Sequence, residues 1–135
     1  MTKEQLASLA KKAMEHSYSP YSGYRVGAAL LCQDGSVYTG CNIENAGYSA
    51  TNCAERTAFF KAVSEGKKDF VAIAICGGKD GVIEDAFPPC GVCRQVMREF
   101  CEDDFEIHCI TKEGIETYTL GELLPVSFAP ENIQG

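Results

Sequence analysis

The stretch TNCAERTAFF, residues 51 to 60, sets Cys53, Glu55 and Arg56 within four residues at the head of an apolar run. A second stretch, PPCGVC at 88 to 93, supplies Cys90 and Cys93 as a C-x-x-C. Both read as helix starts, where exposed N–H groups and partial positive charge favour a thiolate. Alone, the C-x-x-C has three readings: a dithiol redox pair, half of a metal site, or two small apolar residues on one helix. A thioredoxin-like pair follows the first strand of its domain, whereas this one follows the third predicted strand, which counts against redox chemistry. Two helix starts that converge would bring three thiolates to one ion. Three protein ligands with an open fourth position are the pattern of a catalytic zinc, while structural sites usually close with four. No fourth ligand is signalled. His16 ends the first predicted helix and His108 lies in a predicted strand, both far in sequence from either motif. Cys32, Cys41, Cys76, Cys101 and Cys109 read as small core side chains; a fourth thiolate folded in from one of them stays open.

Glu55 has two readings. Asn52 and Glu55 have capping-box spacing, so the carboxylate would close the helix start. It also lies two residues after a candidate ligand, and so would project beside the metal's open position. Histidine is scarce, which leaves a carboxylate as the natural general base for an activated water. Arg56 is either a surface charge with an i, i+4 neighbour or a second partner of the sulfurs. Zn²⁺ with three thiolates carries a net negative charge that weakens it as a Lewis acid. A guanidinium hydrogen-bonded to the sulfurs would restore the balance. Gln95, two residues past Cys93, is placed to donate in the same way, and Arg94 is a weaker candidate.

The elements that must position these groups follow from periodicity. Thr2 and Gln5 have capping-box spacing, and Leu6, Leu9, Ala10, Ala13 and Met14 then recur at helical intervals, predicting a helix over 3–16. YRVGAALLC and SVYTGC read as a strand pair about a turn at Asp34-Gly35. NIENAGYSAT is polar and turn-rich. A helix is predicted from about Cys53 to Val63, a central strand at FVAIAIC, a loop at GGKDGVIEDAFPP and a helix from about Gly91 to Phe100. FEIHCI and IETYTL are predicted strands, and GELL a turn. The order is αββαβαββ. The last two strands are too close in sequence for a parallel crossover, so they must be antiparallel.

The chain has 135 residues, enough for one domain over 1–135. Its formal net charge is −7 and its longest basic run is Lys67-Lys68. That field repels polyphosphates, so a neutral or cationic small molecule is expected and a nucleic acid is not. No segment reads as a signal peptide or membrane span: charges interrupt residues 1 to 16, and FVAIAIC is too short. A cytoplasmic location without membrane contact is expected. There the eight cysteines would be thiols or metal ligands rather than disulfides.

C-A-E at 53 to 55 followed by P-C-G-V-C at 89 to 93 resembles the known signature of the zinc deaminases, in which the glutamate is not a ligand. YSPYSGYRVGAALL, GCNIENAGYSATNCAERTAFFKAVSEG and PPCGVCRQVMREF extend the likeness from about Tyr18 to Phe128. On these segments the chain resembles the small, homotetrameric class of cytidine deaminases. The resemblance implies a three-layer α/β/α fold with a five-stranded mixed sheet whose last two strands are antiparallel. It implies one zinc per chain on Cys53, Cys90 and Cys93, with Glu55 moving protons. Asn42 and Glu44 would hold the ribose hydroxyls, Ala54 would offer its backbone to the pyrimidine, and Tyr24 would pack on the base. Many relatives carry Phe at that position. Ala46, Tyr48 and Phe128 would reach a neighbouring subunit's site, though Tyr48 also reads as a loop surface residue and Phe128 as a packing anchor. The implied reaction is hydrolytic deamination of cytidine and 2′-deoxycytidine, a step of pyrimidine salvage. A related nucleoside deaminase, a zinc-stabilised binding module and a metal-free dithiol protein are the alternatives. Metal content and turnover discriminate among them.

Overall fold

The computed structural model describes residues 1–134. Five strands form one sheet: β1 (Tyr24–Cys32), β2 (Val37–Cys41), β3 (Phe70–Lys79), β4 (Glu106–Thr111) and β5 (Gly114–Thr119), in the order β2-β1-β3-β4-β5. Only β3 and β4 are parallel. They are joined through a helix, α3 (Gly91–Phe100), as a parallel crossover requires. The final pair is antiparallel, as the short connection demands, and that connection is tighter than expected: only Lys112 and Glu113 separate the strands.

The sheet is covered on both faces, and the alternation of side chains along its strands decides how. Val26, Ala28, Leu30, Ile73, Ile75 and Ile107 point to one side and pack with α2 (Ala54–Ser64) and α3. Phe59 of α2 meets Phe70, Phe100 and Phe105 there, with ring centroids 5.0 to 6.3 Å apart. Ala29, Ala72, Ala74 and Cys76 point to the other side, towards Leu6, Ala7, Ala10 and Met14 of α1 (Lys3–Met14). These small strand residues let α1 lie close to the sheet. Burying such apolar surface is the main stabilising term, roughly 25 cal/mol per Å².

Thr2 caps α1 through the expected box with Gln5. The helix stops at Met14 rather than residue 16. β3 runs on to Lys79 through glycines that read as loop, because β1 continues to pair with it: Val26 opposes Gly77 and Tyr24 opposes Lys79. The predicted turn GELL overlaps a single helical turn one residue earlier, α4 (Leu120–Leu123), opened by a capping box between Thr119 and Glu122. Cys32, Cys76, Cys101 and Cys109 are buried and Cys41 is half-buried, all as free thiols. Burial pushes Cys76 and Cys109 up to about 11 and Cys101 up to about 12, so these three stay protonated in the core. Among the described residues no helix is long and apolar enough to cross a membrane.

Candidate active site

Cys53 and Cys90 occupy equivalent places: each is the extended residue that caps the start of a helix, α2 and α3. Neither helix start has a side-chain cap, so each leaves the partial positive charge of its helix start beside a cysteine. Cys93 lies one turn into α3. Gly40 of β2 lets the first turn of α2 lie against the sheet, since a β-carbon there would come within 2.5 Å of the Ala54 carbonyl oxygen.

The two helix starts converge. The sulfurs of Cys53 and Cys90 are 3.8 Å apart, those of Cys90 and Cys93 3.6 Å, and all three lie within 4.8 Å of one another. Tetrahedral zinc with bonds of about 2.3 Å to sulfur separates its thiolates by about 3.8 Å. The three cysteines therefore fit zinc both in donor type and in spacing. They are the cluster of this kind among the described residues, and no fourth cysteine joins them. Arg56 Nη2 donates to Cys53 Sγ at 3.2 Å. The neighbouring Cys93 thiol, together with Arg56, holds the Cys53 thiol down to about 5 against the opposing effect of burial. Cys93, beside Cys53 and itself buried, is pushed upwards.

Glu55 is 4% exposed. Burial lifts its carboxyl to about 7, with the nearby Cys53 charge adding to the effect and Arg56 opposing it. The capping-box alternative for Glu55 is not the one adopted. Cys53 rather than Asn52 is the cap, the Asn52 N–H donates to the Ile43 carbonyl, and Asn52 Nδ2 donates to Thr57 Oγ1 at 3.2 Å. Glu55 is instead part of a cavity wall.

That cavity measures about 210 Å³ and is lined by Tyr24, Asn42, Glu44, Cys53, Ala54, Glu55 and Cys90, among others. A small strand-like clasp brings its parts together. Ile43 and Asn52 exchange both backbone hydrogen bonds at 2.9 Å, folding the polar loop back so that Glu44 lies beside the start of α2. Asn42 is buried and largely committed to the protein. Its Oδ1 accepts from the Val26 N–H at 2.9 Å and from Ser17 Oγ, and its Nδ2 donates to the Tyr24 carbonyl at 2.8 Å. Glu44 Oε1 accepts from the N–H groups of Tyr21 and Ser22 at 2.9 and 3.1 Å, and Oε2 accepts from Ser22 Oγ. The Ser22 hydroxyl and these N–H groups hold the Glu44 carboxyl below its ordinary value, against partial desolvation.

Other sequence candidates lie apart from the sulfurs. Gln95 is a correction: its Nε2 donates to the Phe128 carbonyl at 2.8 Å, tying α3 to the tail, rather than to a cysteine. Arg94 likewise serves structure, donating to the carbonyls of Pro89 and Leu123 at 2.7 and 2.8 Å. Ala46, Tyr48 and Phe128 do not line the cavity of their own chain, and Tyr48 and Phe128 are 88% and 60% exposed. Tyr48 instead borders an adjoining hollow of about 440 Å³ that shares Ser22, Glu44 and Thr51 with the cavity. Ser22, Val26, Thr51, Phe87 and Pro88, none of which carries a sequence signal for the site, also line the cavity. Phe87 follows an acidic loop and carries no periodic signal.

Residues 1–109 match the model of the cytidine and deoxycytidylate deaminase zinc-binding region. A cytidine deaminase of Sporosarcina psychrophila is 49% identical over 134 residues, covering 98% of this chain and 96% of its own. That of Halalkalibacterium halodurans is also 49% identical, with 98% of both chains covered. Among solved structures, a cytidine deaminase from Burkholderia pseudomallei superposes with a TM-score of 0.86 at 43% identity, over 95% of this chain and all of that one. With three sulfurs at zinc spacing beside a buried carboxylate, and likeness along nearly its whole length, the chain belongs to the cytidine and deoxycytidylate deaminase family.

Proposed function

We propose that the chain hydrolyses cytidine and 2′-deoxycytidine to uridine and 2′-deoxyuridine, releasing ammonia. The observation that carries this reading is the buried Glu55 beside the Cys53–Cys90–Cys93 cluster in one small cavity. Bound to those three sulfurs, one zinc per chain supplies an activated water at neutral pH. Glu55 carries one proton to ring N3 and a second to the departing 4-amino group. A carboxyl lifted to about 7 by burial can hold and release a proton near neutrality. Arg56, on Cys53, offsets the excess thiolate charge.

The neighbouring residues orient the nucleoside. Tyr24 packs on the base and the backbone of Ala54 meets the pyrimidine edge. Glu44, with three of its acceptor positions taken, keeps capacity for a ribose hydroxyl. Asn42 has one N–H left to offer and mainly holds β1 in register beside it. Ala46, Tyr48 and Phe128 belong to a neighbour's pocket in a homotetramer with shared sites, a reading supported by the exposure of the two aromatic rings. The chain works as one domain over 1–135 in the cytoplasm, without nucleic-acid or membrane partners. Its small cavity and net charge of −7 suit a free nucleoside rather than a phosphate backbone. Zinc analysis of the purified protein, together with ultraviolet assay of cytidine loss, tests the reading. One zinc per chain and turnover of both nucleosides, but not of single-stranded DNA or RNA, is expected. A zinc-loaded protein inert towards cytidine would sink it.

A further inference from the structure

Lys79, the last residue of β3, lies opposite Tyr24 in the β1–β3 register and has no part in the zinc site. Its ammonium makes two contacts on the far side of the nucleoside cavity. Nζ donates to the Ser22 carbonyl at 2.6 Å and stands over the Tyr24 ring, 5.3 Å from its centroid. The neighbouring Asp80 N–H donates to the Gly23 carbonyl at 2.8 Å, so the end of β3 holds the loop at two consecutive carbonyls. That loop leads directly into Tyr24, the first residue of β1 and a ring of the cavity wall, and supplies the N–H and hydroxyl groups of Tyr21 and Ser22 that orient Glu44. Residue 23 must be glycine for this arrangement. Its φ is +75°, and a β-carbon there would come within 2.8 Å of Lys79 Nζ. Phe87 flanks the same ring at 6.0 Å, so Tyr24 meets both an ammonium and a second aromatic.

We propose that Lys79 is a positioning residue for nucleoside binding: its ammonium pins the Ser22 carbonyl and the Tyr24 ring, and thereby sets both the base-packing surface and the carboxylate that meets the ribose. The cation touches neither zinc ligands nor Glu55. Its removal loosens binding in the ground state and the transition state alike, which raises KM and leaves kcat in place. A lysine over an aromatic ring is worth a modest amount, and a severalfold effect is the appropriate scale.

The inference rests on the nucleoside-pocket reading above, so the experiment separates the two. The zinc-loaded enzyme and its Lys79→Met, Lys79→Arg and Glu44→Gln variants are assayed with cytidine, with zinc content and melting temperature measured for each. Lys79→Met is expected to raise KM roughly three- to tenfold with kcat within about twofold and zinc content unchanged. Lys79→Arg, which keeps a cation able to stand over the ring, is expected to recover most of the affinity. If Lys79→Met leaves KM unaltered, lowers kcat in step with kcat/KM, or behaves like Lys79→Arg, the assignment is overturned. If Lys79→Met fails to fold, Lys79→Arg and Lys79→Gln carry the comparison, and equal KM values in those two overturn it. Should Glu44→Gln leave KM untouched, the pocket reading itself falls. A raised KM in Glu44→Gln with an unaltered one in Lys79→Met removes only the role of Lys79.

Discussion

Cys53 and Glu55 are two residues apart, yet one variant of each should fail in different ways. Cys53 supplies a sulfur at the start of α2, and Glu55 supplies a buried acid that makes no cap. Cys53→Ala is expected to lose zinc. Because the site exists only in the folded chain, stability should fall with it. An ion at a thousand times its Kd contributes about 4 kcal/mol, and the melting temperature with and without chelator measures the loss. Full zinc occupancy in that variant would remove Cys53 from the site. Glu55→Gln is isosteric and still buried, so zinc and fold should persist. Turnover should drop by more than the ~10²–10⁴ typical of one acid–base group, because the same carboxyl serves successive proton transfers. A variant with a tenth of parental kcat would show that the acid is dispensable. The competing reading of Glu55 as a helix cap is excluded by geometry: the donor it would have capped, the Asn52 N–H, is bonded to Ile43.

The elements contribute by placing two helix starts at one point, and the close approach of α2 to β2 at Gly40 is what places the first. Gly40→Ala should push the Ala54 carbonyl aside, costing about 1–3 kcal/mol and weakening zinc retention. Gly91→Ala, although between two ligands, meets no atom within 4 Å and should stay within about 0.5 kcal/mol of the parent. Equal effects of the two, by chemical denaturation, would dismiss the packing argument. His108 on β4 gives the sheet a pH dependence. Burial lowers its pKa, Glu106 partly opposing, and its Nδ1 pairs with Thr117 Oγ1 at 2.8 Å. The unfolded chain therefore takes up the proton first. The contribution is present above about 6.5 and is lost as pH falls through the lowered folded value. His108→Gln should flatten the stability profile below pH 6.5, and an unchanged slope would contradict the assignment. These elements differed in how legible they were. The helix starts could be read because thiolate and C-x-x-C chemistry is local, and the strands because YRVGAALLC and FVAIAIC are short apolar runs bounded by turn residues. The end of β3 could not, since Gly77 and Gly78 look like loop until β1 pairs with them. Nor could Phe87 or the true partner of Gln95, which depend on contacts between segments without periodicity.

At the scale of the whole molecule, the unsolved problem of a single chain is enclosure. Its cavity is small and opens beside a hollow bordered by Tyr21 and Tyr48, while Phe128 stands 60% exposed on a tail held to α3 through Gln95. Large exposed aromatics are typical anchors of an interface, Phe128 stands between exposed Val126 and Ile133, and a second chain could cover what this one leaves open. If Phe128 closes a neighbour's pocket, Phe128→Ala should raise KM for cytidine with zinc content intact. Phe128→Ala and Glu55→Gln then carry their defects in different parts of a shared site. Dissociating the two variants together and reassembling them should produce mixed tetramers. Some pockets in these combine Glu55 from one chain with Phe128 from another. Activity at low cytidine concentration should exceed the sum of the separately treated variants, because such pockets have both groups. The mixed assemblies can be verified by native mass spectrometry with one variant isotopically heavy. If they form and activity does not rise above that sum, or if the parent is fully active as a monomer, each chain encloses its own substrate and the shared-site arrangement is wrong.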